Sequence, residues 1–292
     1  MTSWRHLDDA ARERELSPSS CIGGDYRPFI AAYAERSAAA RALPGARLNL
    51  AYGAGADERL DLFVPTAPAS STASGTQAPP LLVFIHGGYW QELSKEASSF
   101  AAADAQAQGC AFAALDYTLA PAATVAQIVQ QCRRAIVWLH REAATLGFDR
   151  HRIVVAGSSA GAHLAAMCAL PGSVSAARVK AAVLVSGIYE LEPLVGTSIN
   201  AALGLDAQAA RAVSPALASN LSGFPPALVC WGEVETAEFK RQGSDFAERL
   251  RAAGARCELL EVPARNHFDV ILDLADAAKP LGQRMLALLH SP

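Results

Sequence analysis

The sequence predicts an α/β fold: a mostly parallel central sheet with helices on both faces and a small cap. Three observations predict it. Short apolar runs alternate with longer amphipathic segments along most of the chain. Several of those runs, such as Leu81–Ile85, are apolar without a break, as strands buried on both sides are. Two of them end in glycine turns, His86-Gly87-Gly88 and Gly157-Ser158-Ser159-Ala160-Gly161.

In chain order, residues 28–43 read as an Ala-rich helix ended by Pro44-Gly45, so 1–45 form an N-terminal helical arm. Residues 47–52 and 59–64 alternate apolar and polar positions and pair as an antiparallel hairpin at a sheet edge. The Ala-, Ser-, Thr- and Pro-rich stretch 66–80 reads as a mobile surface connection, because strands resume at once. The strand Leu81–Ile85 precedes a helix at 94–108 ended by Gly109. A strand at 110–115 precedes the long helix Val125–Leu146 ended by Gly147. A strand at 152–156 turns into a helix at 160–170, stopped by Pro171-Gly172. Strands at 181–186 and 227–231, a helix at 238–253, a strand at 256–262 and a helix at 270–289 complete the series. Residues 188–224 break the rhythm with short helical pieces and Ser214-Pro215. They read as a cap over the C-terminal edge of the sheet, where such folds bind ligands. The whole chain, 1–292, is read as one domain.

The 292 residues are 51 % hydrophobic, enough for a sizeable core. The net charge is −3 with no long basic run, which argues against a nucleic-acid partner. No apolar stretch reaches the roughly 18 residues of a membrane span, and residues 1–20 lack the apolar core of a secretory signal. A soluble, cytoplasmic chain with no membrane partner is expected. The cysteines Cys21, Cys110, Cys132, Cys168, Cys230 and Cys257 are scattered without a C-x-x-C pair, so neither a disulfide framework nor a metal site is expected. Cys110, Cys168 and Cys230 fall in apolar runs and read as small core residues. No metal and no cofactor are implied. The expected partner is a small-molecule substrate, and no particular oligomeric state is indicated.

The two glycine turns carry the chemistry. Gly157-x-Ser159-x-Gly161 sits between a strand and a helix, where a strained turn pushes a serine hydroxyl out above the sheet. Ser159 is therefore the candidate nucleophile. A serine hydroxyl needs a base with a pKa near neutrality. His267, in the loop 263–269 between the last strand and the last helix, is the candidate. His163 lies one helical turn after Ser159 and points along the helix, so it reads as a packing residue. His140, His151, His6 and His290 read as structural or solvated, and His86 as a brace for its own loop. The base needs an orienting carboxylate, and chain order places it after the strand at 227–231. Glu233 and Glu235 both qualify. Glu235 is favoured because it lies further out, where the loop can turn back toward His267. Asp245 reads as a solvated helix position. The N–H groups of Gly87, Gly88 and Ala160 are the candidate oxyanion donors, each worth about 3–4 kcal/mol in the transition state.

These motifs resemble those of the kynurenine formamidases (arylformamidases), α/β-hydrolases related to the hormone-sensitive-lipase-type esterases. His86-Gly87-Gly88-Tyr89-Trp90 is similar to their H-G-G-x-W signature, where the esterases carry H-G-G-G. Further similarity lies in Ser17-Pro18-Ser19, in Leu60-Asp61-Leu62-Phe63-Val64-Pro65 and in Asp116-Tyr117 with Leu119-Ala120-Pro121. The late segments Glu238-Phe239 with Arg241-Gln242 and His267-Phe268-Asp269 complete it. The resemblance implies Ser159 as nucleophile, His267 as base and Glu235 as acid, although the family usually has Asp at that last place. Ser158 stands where the family often has His. It implies hydrolysis of N-formyl-L-kynurenine to kynurenine and formate, with Tyr89, Trp90 and Ser158 on the substrate side. The same machinery also suits a broad-range small-acyl carboxylesterase. A reading from another class is a non-catalytic, hydrolase-like binding protein.

Overall fold

The computed structural model describes residues 4–66, 78–174 and 177–291. Most of the surface connection expected at 66–80, namely 67–77, lies outside the described residues. Eight strands form one sheet: β1 (Ala46–Ala51), β2 (Arg59–Phe63), β3 (Leu81–Ile85), β4 (Ala111–Leu115), β5 (Ile153–Ser158), β6 (Ala181–Val185), β7 (Ala227–Val234) and β8 (Cys257–Asn266). Their spatial order is β1-β2-β4-β3-β5-β6-β7-β8. The expected hairpin is present: β2 runs antiparallel to both β1 and β4, and every later pairing is parallel.

Two helices precede the sheet, α1 (Asp9–Glu15) and α2 (Arg27–Arg41), and the others fall among or after its strands: α3 (Ala102–Ala107), α4 (Val125–Leu146), α5 (Ala160–Ala169), α6 (Asn200–Leu203), α7 (Ala207–Ala212), α8 (Ala237–Ala252) and α9 (Pro280–His290). The period-two alternation of β3 assigns the two faces. Leu81, Val83 and Ile85 join a core with α4, α5 and α8. Leu82 and Phe84 join a second core with α2, α3 and α9. Burial on both faces explains why the central strands are apolar at every position. The long α4 is fixed at both ends by its sequence. Thr124 and Gln127 form a reciprocal capping box, and Gly147 closes the helix at φ 89°.

Three expected elements differ. The helix expected at 94–108 is interrupted. A 3₁₀ turn, Lys95–Ala97, is followed by α3 only from Ala102. Ser98 Oγ donates to Ser94 O at 2.6 Å, and Ser99 N–H is taken by Ser37 Oγ of α2 at 2.9 Å, so serine chemistry competes with the helical ladder. The helix expected at 270–289 is a 3₁₀ turn, Val270–Asp273, and a separate α9 that starts at Pro280. Proline supplies no N–H and suits a helix start rather than its interior. Finally, β7 and β8 outrun their expected ends. After a register shift Val234 still pairs with Asn266, which puts Glu233 on the strand itself. Residues 188–224 contain α6, α7 and two 3₁₀ turns. Among the described residues, no helix is long and apolar enough to cross a membrane.

Candidate active site

The parallel strands β3, β5, β6 and β7 all end on one side, and their C-terminal ends build the site. Ser159 joins β5 to α5 at φ 57°, ψ −121°. A non-glycine residue held there costs on the order of 1–3 kcal/mol, which the surroundings must over-determine. They do: Ser159 N–H donates to Val185 O at 2.9 Å, and α5 begins at the next residue. Gly161 is needed for close approach, because a Cβ there would stand 2.0 Å from Ile85 O. The helix N-terminus is thereby pressed against the end of β3.

His267 follows the end of β8 and is 4 % exposed. Its loop is pinned. Arg265 grips Asp273 through two bonds of 2.8 and 2.7 Å, and Asn266 N–H donates to Asp269 Oδ1 at 2.7 Å. His267 Nδ1 lies 2.9 Å from Glu235 Oε2. An ionised carboxylate only accepts, so Nδ1 carries the proton and Nε2 is left as the acceptor. Glu235 Oε1 receives Ser186 Oγ–H at 2.5 Å and Gly232 N–H at 2.7 Å. Its side chain is fully buried. Thr236, the next residue, caps α8 through Phe239 N–H and so fixes the chain around it. Glu233 is placed elsewhere: it is exposed and accepts from Ala264 N–H at 2.8 Å. Of the two carboxylates left open by chain order, Glu235 is the one on the histidine.

Ser159, His267, Gly87, Gly88, Tyr89 and Ser158 line one cavity of about 260 Å³. That is just below the ~300–1,000 Å³ of drug-sized ligand pockets and suits a small substrate. A methyl group at Gly87 would stand 3.2 Å from Ser159 Cβ, so this loop faces the serine directly. No described residue accepts from the N–H groups of Gly87, Gly88 or Ala160. His86 holds the loop from below. It stacks on Tyr117 at 4.2 Å, and its Nε2 lies 3.3 Å from Asp116 Oδ1.

Three histidines and one tryptophan lie apart from this group. His163 is fully buried with Nε2 2.6 Å from Val213 O, and burial lowers its pKa to about 4, so it stays neutral. His140 and His151 contact each other edge-on. Trp90, expected on the substrate side, does not line the cavity. It is completely buried, edge-on to His163 at 5.0 Å, and packs in the core with α4 and α5. Tyr89 and Trp90 both hold positive φ, 48° and 61°, and of the two Tyr89 is the one at the cavity wall. Tyr89 donates its hydroxyl to Leu16 O, and burial raises its phenol well above the ordinary value.

A family model described as the alpha/beta hydrolase fold matches residues 82–270. The chain is 32 % identical to the kynurenine formamidase of Salmo salar, with 99 % of each chain covered. The chain belongs to the kynurenine formamidase family of α/β-hydrolases. The kynurenine formamidase of Danio rerio is 28 % identical, again with 99 % of each covered. A candidate thioesterase from Silicibacter sp. tm1040 superposes at TM-score 0.79 and 31 % identity, covering 96 % and 99 % of the two chains. An esterase from Pyrobaculum calidifontis superposes at TM-score 0.74 and 22 % identity over 90 % and 91 %, a likeness of fold. This member of the formamidase family is therefore a hydrolase.

Site residues that the motifs do not reveal come from elsewhere in the formamidase-family chain. Leu16 and Pro18 of the arm, Tyr26 before α2, Tyr33 within it, and Ile199 before α6 all line the cavity. Tyr33 donates its hydroxyl to Phe268 O and so ties the arm to the histidine loop. Ser17-Pro18-Ser19 carried the one sequence signal, through its resemblance to the family. Ser186, which holds Glu235, gave none beyond its place at the end of β6.

Proposed function

We propose that this hydrolase cleaves the formamide of N-formyl-L-kynurenine, giving kynurenine and formate through a formyl-enzyme. One observation carries the proposal. A buried carboxylate–histidine pair at 2.9 Å opens, through His267, onto the same cavity as a serine in a strained strand-to-helix turn and the free N–H groups of Gly87 and Gly88. Its curated relatives in Salmo salar and Danio rerio are named kynurenine formamidases and match it end to end.

Ser159 Oγ attacks the formyl carbon while His267 Nε2 takes its proton, and Glu235 stabilises the imidazolium through Nδ1–H. The carbonyl oxygen becomes an oxyanion that receives N–H from Gly87, Gly88 and Ala160. As the C–N bond breaks, His267 returns the proton to the departing aryl amine. A water, deprotonated by His267, then attacks the formyl ester. Its collapse reprotonates Ser159 and releases formate. Tyr89 and Ser158 bound the substrate side of the cavity. In this reading the described part of the arm, 4–45, and the segment 188–224 border the cavity, which is supported by Leu16 and Ile199 in its wall. Gln91 Nε2 also donates to Ile199 O at 2.9 Å, joining the donor loop to that segment.

A fluorophosphonate probe read by intact mass tests the serine mechanism. One adduct on the wild type, mapped to Ser159 and absent from Ser159→Ala, is expected. An unlabelled folded protein, or an adduct at another residue, overturns the nucleophile.

A further inference from the structure

We propose that Glu92, with Tyr26 beside it, is a specificity subsite for a primary ammonium carried on the leaving-group half of the substrate. The proposal rests on the formamidase reading of the same cavity. Among the described residues lining the cavity, Glu92 is the one carboxylate, and neither Lys nor Arg lines it. The wall is otherwise largely apolar and aromatic, with Tyr26, Tyr33 and Phe268 contributed by the arm and the histidine loop.

The position of Glu92 is tied to the donor loop. After Gly88 the chain folds back so that Gln91 N–H and Glu92 N–H both donate to Gly88 O, at 2.8 and 3.0 Å. A substrate whose carbonyl oxygen lies against the N–H groups of Gly87 and Gly88 thus has this carboxylate one turn of chain away. Tyr26 is held by stacking on Phe268, with ring centroids 5.3 Å apart and planes 10° apart. The charge of Glu92 is the leading cause that raises the Tyr26 phenol above its ordinary value, ahead of burial. Carboxylate and phenol ring therefore stand together at the cavity, next to the histidine loop.

A carboxylate beside an aromatic face suits a primary ammonium. The carboxylate accepts charge-assisted hydrogen bonds, and the ring quadrupole attracts the cation. A carboxylate group on the substrate meets like charge from Glu92 and no cation in the wall. The subsite thus separates cationic or zwitterionic amines from anionic ones by attraction and repulsion together.

Two matched substrate pairs test this, each differing only by the ammonium. N-formylkynuramine is paired with 2′-formamidopropiophenone, and tyramine O-acetate with 4-ethylphenyl acetate. The quantity read is the ratio of kcat/KM for the ammonium-bearing substrate over its partner. In Glu92→Gln that ratio falls about fivefold, the size set by an exposed charge pair, and in Glu92→Lys it falls further. In the wild type it falls as salt screens the pair, a response that a merely structural role does not produce. Ratios within twofold of wild type in both variants overturn the subsite. If both formamides are untouched while the esters turn over, the formamidase reading fails and the ester pair still reads Glu92.

Discussion

Replacing Glu235 by glutamine removes one charge and almost no volume. The wild-type carboxylate accepts three hydrogen bonds, from His267 Nδ1 at 2.9 Å, Ser186 Oγ at 2.5 Å and Gly232 N at 2.7 Å. A glutamine amide has one accepting oxygen. If that oxygen keeps Ser186 and Gly232, the NH₂ group faces Nδ1. Two donors cannot share that gap, so the imidazole moves its proton to Nε2, the nitrogen that must take the proton of Ser159. An equivalent carboxylate-to-amide change in a serine triad costs about 10⁴ in kcat. That corresponds to about 5.4 kcal/mol at ~1.36 kcal/mol per decade. We expect kcat/KM of Glu235→Gln to fall about 10³- to 10⁴-fold, measured by ester and formamide turnover on protein checked by circular dichroism. Glu233→Gln serves as the control. Its carboxylate is exposed and bound to Ala264 N–H, so a change below about threefold is expected. A Glu235→Gln enzyme that keeps more than about a tenth of its activity, or a Glu233→Gln enzyme equally impaired, refutes the reasoning.

Three further outcomes follow from the same geometry. Gly87→Ala places a methyl 2.7 Å from Ser158 O, so the donor loop must move, and kcat should fall about 10²- to 10³-fold with a smaller change in KM. Trp90→Phe should lower stability by about 1–3 kcal/mol in urea unfolding while KM stays within about twofold, because the indole packs in the core and not against substrate. An unchanged midpoint with a raised KM would reverse that placement. His163, lowered to about 4 by burial, is neutral when folded and protonates in the unfolded chain from its ordinary value of 6.5 downward. Its contribution is therefore complete above that value and is lost as pH falls toward 4, by about 3 kcal/mol in all. Unfolding free energies at neutral and acidic pH should show His163→Gln losing correspondingly less than wild type. Equal losses contradict the assignment.

The sequence was legible where local chemistry decides structure. Unbroken apolar runs marked the central strands, and Gly157, Ser159 and Gly161 marked the turn whose close contacts only small residues permit. His86-Gly87-Gly88 marked the loop that faces that turn. Legibility stopped where distant segments meet. Ser99 looks helical until Ser37 of α2 takes its N–H, and the 94–108 helix then breaks. Trp90 looks like a ligand-facing aromatic until its packing with α4 and α5 takes the ring into the core. Glu233 and Glu235 differ by two positions in sequence, and the continued pairing of β7 with β8 is what sets one on an exposed strand end and the other on His267. Leu16, Tyr26 and Tyr33 reach the cavity only because the arm folds back, tied by Tyr89 to Leu16 and by Tyr33 to Phe268. Such contacts have no signature in a window of neighbouring residues.

We propose that this formamidase-family hydrolase acts on an aryl formamide. The most direct measurement is kcat/KM for N-formyl-L-kynurenine, followed by appearance of the free aryl amine, beside kcat/KM for p-nitrophenyl acetate on the same preparation. Efficient formamide turnover, at least comparable with the ester, and loss of both in Ser159→Ala are expected. An enzyme that hydrolyses the ester readily and leaves the formamide untouched contradicts it.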